Sequence, residues 1–224
     1  MLNPGRTSSS LRGVTFITLV CASLSACQSS SNSGAAHDSS TTSAAPELIT
    51  LVDKNRVEKK LTAEQLIESL DLTGHVEGGF YRQTFKANHR PMISTDNGDR
   101  VNMTSIYYLL SAKSPIGHFH MNRSDIMHYF HMGDPITYYL INQDGSLETH
   151  VLGPDPTQGH KMQMVVKGGT WKASKISTTG SYGYGLIGEA VAPGFEYVDM
   201  QLGEQAELIK QFPQHTNLIT SLTR

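Results

Sequence analysis

The stretch Pro135-Ile136-Thr137-Tyr138-Tyr139-Leu140-Ile141-Asn142-Gln143-Asp144-Gly145 combines a β-branched and aromatic run with an Asp-Gly turn. Such a run suits a pleated, half-buried surface, and Asp-Gly supplies the positive φ that tight hairpin turns demand. Leu147 to Leu152 then reads as the return strand. Working outward, Phe80 to Phe85, Met103 to Leu110, Lys161 to Val166, Thr170 to Ile176, Tyr182 to Val191 and Glu196 to Leu202 have the same character. Many short strands punctuated by Gly and Pro, with no helices between them, predict an all-β antiparallel sandwich or barrel.

Helical signals lie at the margins. Leu61 to Leu70 carries apolar residues at 61, 66, 67 and 70, and Thr62 with Gln65 forms a capping-box pattern. A second short helix is expected around Glu204 to Gln211. The predicted fold is therefore a β-barrel with one or two short peripheral helices.

The N-terminal region is organised differently. Arg6 and Arg12 precede a mostly apolar run from Val14 to Ala26, with no acidic residue before Cys27. That run is shorter than the roughly 20 apolar residues of a membrane-spanning helix and matches a signal-peptide core. Leu24-Ser25-Ala26-Cys27 resembles the lipobox of bacterial lipoproteins, which implies cleavage after residue 26 and acylation (palmitate included) of Cys27. Residues 27–46, Cys27 and the stretch behind it, are mostly Ser, Thr and Ala with almost nothing to bury, the composition of a flexible tether. Residues 47–224 form the expected single domain. Gln28 after Cys27 resembles the sorting pattern for the outer membrane, so the expected place is the cell envelope, at that membrane's periplasmic face. Cys21 would leave with the signal peptide, so no disulfide is expected in the mature chain. Losing Arg6 and Arg12 leaves 16 basic against 20 acidic residues, a net charge of −4. With no basic cluster either, nucleic acid is not an expected partner.

Five of the ten histidines fall between 118 and 150. In a regular strand residues two apart share a face, so His118 and His120 converge, and His128 can meet them if it lies across a hairpin. Imidazoles at that spacing suit a divalent transition metal (Fe, Mn or Zn), with Asp125 as a carboxylate donor.

Gly117-His118-x-His120-x4-Asp125 resembles the first motif of the cupins. Six further blocks extend the resemblance. These are His75-Val76-Glu77-Gly78-Gly79-Phe80-Tyr81-Arg82, Thr104 to Leu110, Ser114 to Gly117, Gly133-Asp134-Pro135, Lys167-Gly168-Gly169-Thr170-Trp171-Lys172-Ala173, and Val191 to Tyr197. Together, over roughly residues 60 to 222, the chain resembles the cupin family DUF985, or Cupin_5. The resemblance implies a double-stranded β-helix (jelly roll), a homodimer, and a shape like the sugar-nucleotide epimerases of the RmlC type. It supplies no reaction. Two features depart from metal-binding cupins. Their second motif carries a further histidine where this chain has Lys167 to Lys172. The Glu of their first motif falls here on Ile126 or Asp125, depending on the direction of counting.

A barrel of this size holds one small ligand. Glu77, Tyr81, Arg82, Tyr138, Trp171 and Glu189 are the candidate ligand-binding residues. Three functions follow. In a sugar-type epimerase or isomerase, His120 or His128 takes a proton next to a carbonyl, Tyr108 or Tyr138 returns one, and Arg82 holds an anionic group. The sequence alone places no carboxylate partner for that base. In a metal-dependent dioxygenase or isomerase, His118, His120 and His128 are ligands. A non-catalytic envelope module would bind a small carbohydrate-like or aromatic ligand.

Overall fold

The computed structural model describes residues 60–224; the expected signal peptide, Cys27 and the tether lie outside them. The chain runs α1 (Ala63–Ser69), β1 (Thr73–Gly74), β2 (Phe80–Lys86), β3 (Ile93–Thr95), β4 (Gly98–Arg100), β5 (Thr104–Ser111), β6 (Ile116–Asn122) and β7 (Asp125–Gly133). It continues through β8 (Ile136–Ile141), β9 (Leu147–Leu152), β10 (Gln163–Val166), β11 (Trp171–Ile176), β12 (Tyr184–Ala192), β13 (Met200–Leu202), α2 (Gln205–Gln211) and α3 (Thr216–Leu222). A six-stranded sheet in the order β1-β2-β5-β12-β7-β10 faces a five-stranded sheet in the order β13-β6-β11-β8-β9. All pairings within these sheets are antiparallel. This is the expected all-β jelly roll.

The β8–β9 hairpin closes at the predicted turn. Gly145 takes φ +80°, and its N–H donates to the Asn142 carbonyl at 2.9 Å. At the first helix the Thr62 hydroxyl accepts from the Gln65 N–H at 3.2 Å, while the Gln65 side chain accepts from the Thr62 N–H at 3.0 Å. Removing that reciprocal cap by Thr62→Ala is expected to lower stability by about 1 kcal/mol, read as a shift in the urea midpoint at unchanged slope.

Two expectations need correction. Glu196 to Leu202 is not one strand: Tyr197–Asp199 forms a single 3-10 turn and only Met200–Leu202 pairs, with β6. There are also three α-helices among the described residues rather than one or two. The third, Thr216–Leu222, buries Ile219 and Leu222 with Leu208 and Phe212 against Phe119, Ile141, Trp171 and Ala173. Packing on the outer face of the five-stranded sheet holds this helix, despite its weak helix formers.

Between the sheets the barrel has two ends. One is filled by Tyr108, Leu110, Ile136, Tyr138, Leu140, Leu152 and Ile187, each buried. The other end is open enough to hold a cavity.

Candidate functional site

The cavity has a volume of about 310 Å³, at the lower end of the range for small-molecule sites. Its polar wall is made by His75, Glu77, His120, Asn122, Lys172 and Glu189; Tyr81 and Tyr197 face it, with Ile126, Val191 and Met200 adding apolar surface.

Glu77 is placed by the turn His75 to Gly79. Gly78 has φ +103°, and a Cβ there would stand 2.2 Å from the Ile116 carbonyl oxygen, so only glycine allows the turn to press onto β6. The Tyr108 hydroxyl donates to the Gly78 carbonyl at 3.0 Å, and the His118 N–H donates to the Glu77 carbonyl at 2.7 Å. The turn thereby brings Glu77 Oε2 to 2.9 Å from His120 Nε2 and 3.5 Å from His75 Nδ1. His120 Nδ1 donates to the His118 carbonyl at 2.7 Å, so the nitrogen left to face Glu77 and the cavity is Nε2. That atom is buried, and the Glu77 contact lies off its ring axis, so Nε2 has no aligned hydrogen-bond partner. Asn122 Oδ1, on the same strand and in the same wall, also lacks one.

A second group sits beside the first. Lys172 Nζ lies 3.0 Å from His128 Nε2 and 3.4 Å from Glu189 Oε1, and His128 Nε2 lies 3.1 Å from the same Glu189 oxygen. All three side chains are almost wholly buried. On the rim, the Tyr81 and Tyr197 hydroxyls are 3.2 Å apart, and Lys86 pairs with Glu196 at 2.9 Å.

Burial alone would raise the Glu77 and Glu189 carboxyls. Their neighbours reverse this, chiefly His120 with Lys172 for Glu77 and Lys172 with His128 for Glu189, leaving both below the ordinary carboxylate range. Burial lowers the His128 imidazole, assisted by Lys172, and burial likewise lowers His75. The Tyr197 hydroxyl is pushed up to about 12, chiefly by its hydrogen bond to Tyr81. Below about pH 6.5 the unfolded chain therefore takes up protons at His75 and His128 that the folded chain refuses, so stability falls as pH falls. The two depressed carboxylates add in the same direction below about pH 4.5. Urea unfolding between pH 7.5 and 5 should show stability falling with pH, by at most about 1.4 kcal/mol per pH unit for each of the two imidazoles. A flat profile would mean that both rings take up protons as readily in the folded protein as in the unfolded chain.

Glu77, Tyr81, His120 and Glu189, all expected from the sequence, meet at this cavity. Other candidates do not. A β-bulge opposes His118 and Phe119 to the single residue Ala173, because Lys172 pairs with His120 but Ser174 pairs with Gly117. The extra residue breaks the alternation. His118 is deflected towards the Leu222 carbonyl, 3.3 Å from its Nδ1, and does not join His120. β6 and β7 are not a hairpin pair: they lie in opposite sheets, and His128 sits fully buried behind Lys172 and Glu189 rather than in the wall. Asp125 faces outward, 2.7 Å from Lys167 Nζ. Arg82 is exposed on the outer face of β2, and Trp171 lies under α2 and α3. Tyr108 and Tyr138 are fully buried in the core beneath the cavity; the Tyr138 ring is 5.1 Å from His128 and its hydroxyl is unpartnered.

The expected metal site does not fit these residues. Among the described residues no three His, Cys, Asp or Glu side chains are grouped as metal donors. The Lys172 ammonium sits against both His128 and Glu189, in the place a cation bound by them would need. Lys172, His75, Asn122 and Tyr197 were not singled out from the sequence. Alternation offered one signal, since Lys172 must face opposite to its neighbour Trp171.

Fold and cavity together define a jelly-roll barrel of the cupin kind with a carboxylate–imidazole–ammonium pocket. The chain belongs to the Cupin superfamily family DUF985, which matches residues 64–203. An uncharacterized protein of Saccharomyces cerevisiae is 35% identical over 146 residues, 61% of this chain and 72% of that protein. Among solved structures, a hypothetical protein from Leishmania major is 30% identical with a TM-score of 0.68, covering 73% of this chain and 99% of that one. A protein from Shewanella oneidensis is 35% identical with a TM-score of 0.65, covering 73% and 98%.

Proposed function

We propose that the cavity binds a small sugar-like carbonyl compound and moves a proton on the carbon beside its carbonyl group, as an epimerase or isomerase does. The observation that carries this reading is His120 Nε2, buried, without an aligned partner, on the cavity wall and 2.9 Å from the Glu77 carboxylate. With Nδ1–H held by the His118 carbonyl, Nε2 is the nitrogen that takes up or releases a proton at the cavity. The neighbouring carboxylate stabilises the imidazolium formed when it takes a proton. Tyr197, held protonated by its bond to Tyr81, supplies a hydroxyl on the same cavity for the return step.

The test is deuterium wash-in from heavy water into a panel of aldoses, ketoses and hydroxyketones, read by mass spectrometry. Exchange that depends on His120 supports the reading. Tight binding of a panel member with no exchange would instead favour a non-catalytic ligand-binding role, and absence of both overturns the site assignment.

The sequence features before residue 60 lead us to propose further that the protein is an envelope lipoprotein, anchored through acylated Cys27 in the outer membrane. The mass of the Cys27 peptide from purified membranes tests this, an unmodified cysteine counting against it. A homodimer is part of the same proposal, and sedimentation of the soluble domain as a monomer would refute it.

A further inference from the structure

We propose that Lys172 is a nucleophile that forms an imine with the carbonyl ligand, which makes aldehydes and ketones the substrate class. This rests on the reading of the cavity as a carbonyl site. Lys172 lines the interior of the cavity, and its Nζ reaches His128 Nε2 at 3.0 Å and Glu189 Oε1 at 3.4 Å. His128 Nε2 lies 3.1 Å from that same Glu189 oxygen. One nitrogen is thus placed both to accept from the lysine and to donate to the carboxylate.

That triangle allows Lys172 to lose a proton without creating or destroying charge in a buried place. Before transfer, the ammonium donates to His128 and pairs with Glu189. Afterwards, the imidazolium donates to Glu189 and the amine is neutral. The counter-ion is the same carboxylate at closely similar distance, so the Coulomb attraction is conserved. A proton sent from a buried lysine to bulk water would instead leave Glu189 uncompensated.

The covalent step balances. The neutral amine adds to the carbonyl carbon, forming the N–C bond as the C=O π bond breaks, and the nitrogen's surplus proton passes to the oxygen to give a carbinolamine. The C–O bond then breaks as the proton lent to His128 returns to the oxygen, water leaves, and a protonated imine remains. Its positive charge acidifies the adjacent C–H, whose proton His120 removes and the site returns. Water addition reverses the sequence and restores Lys172. No oxidant or reductant is needed. A lysine activated by a neighbouring base or by desolvation is the general requirement for such a nucleophile.

The first measurement is reductive methylation of the folded protein at pH 7 with formaldehyde and cyanoborohydride, followed lysine by lysine by peptide mass. Lys172 should be labelled about tenfold faster than the exposed Lys113 and Lys167, and His128→Gln should remove the advantage. Labelling of Lys172 no faster than Lys113, or no slower in the His128 variant, overturns the proposal. The second measurement is wash-in by Lys172→Arg, which keeps the charge but cannot form an imine. Exchange that survives this change overturns the imine and leaves the isomerase reading standing. Fast Lys172 labelling in a protein that exchanges no panel member leaves the nucleophile standing and sinks the isomerase reading.

Discussion

Replacing His120 by asparagine should lower deuterium wash-in by about a hundred- to ten-thousand-fold, the usual contribution of a positioned general base. Asparagine can still donate to the His118 carbonyl, which now receives the His120 Nδ1–H at 2.7 Å, so the local strand keeps its hydrogen bond. The lost group is the lone pair at the cavity. Glu77→Gln leaves that lone pair in place but withdraws the negative charge 2.9 Å from Nε2, so it should slow exchange by destabilising the imidazolium. Because base and carboxylate act as one unit, the double variant should lose no more than His120→Asn alone. Losses that multiply across the two substitutions would show that Glu77 and His120 serve separate purposes.

Lys172→Met should be the most destabilising of the polar substitutions at the site, by about 3–5 kcal/mol. It leaves the Glu189 carboxylate, 6% exposed, beside His128 without its cation. The cost comes mainly from the orphaned charge, so Lys172→Met combined with Glu189→Gln should recover a large part of it. Thermal melts should show roughly 2–4 °C per kcal/mol for a domain of this size. A double variant as unstable as the single one would mean that Lys172 acts through packing of its stem instead.

Much of the fold was legible because its signals are local. The β8–β9 hairpin follows from Asp144-Gly145, and the first helix from Thr62 and Gln65, both within a few residues of the structure they specify. α3 was missed for the opposite reason: Thr216 to Leu222 is helical through its burial on β6 and β11, a contact with residues far away in sequence. The same division runs through the site. Glu77, Tyr81, His120 and Glu189 could be named from the chain, but their meeting point could not. His118 and Arg82 fit the residue chemistry and fail on geometry.

What the sequence by itself determined is much of the strand set, the hairpin turn at Asp144-Gly145, the residue types available for chemistry and the family. What only the tertiary structure decided is which of those residues face the cavity. The physical reason lies in the two-residue period of a strand, which a single inserted residue inverts. The bulge at His118–Phe119 sends one histidine of a His-x-His pair out of the barrel. Another between Gln83 and Phe85 turns Lys86, rather than Phe85, towards the cavity rim. The chain's crossing from one sheet to the other after Asn122 then sets His128 opposite β6, so that Lys172 fills the space between them.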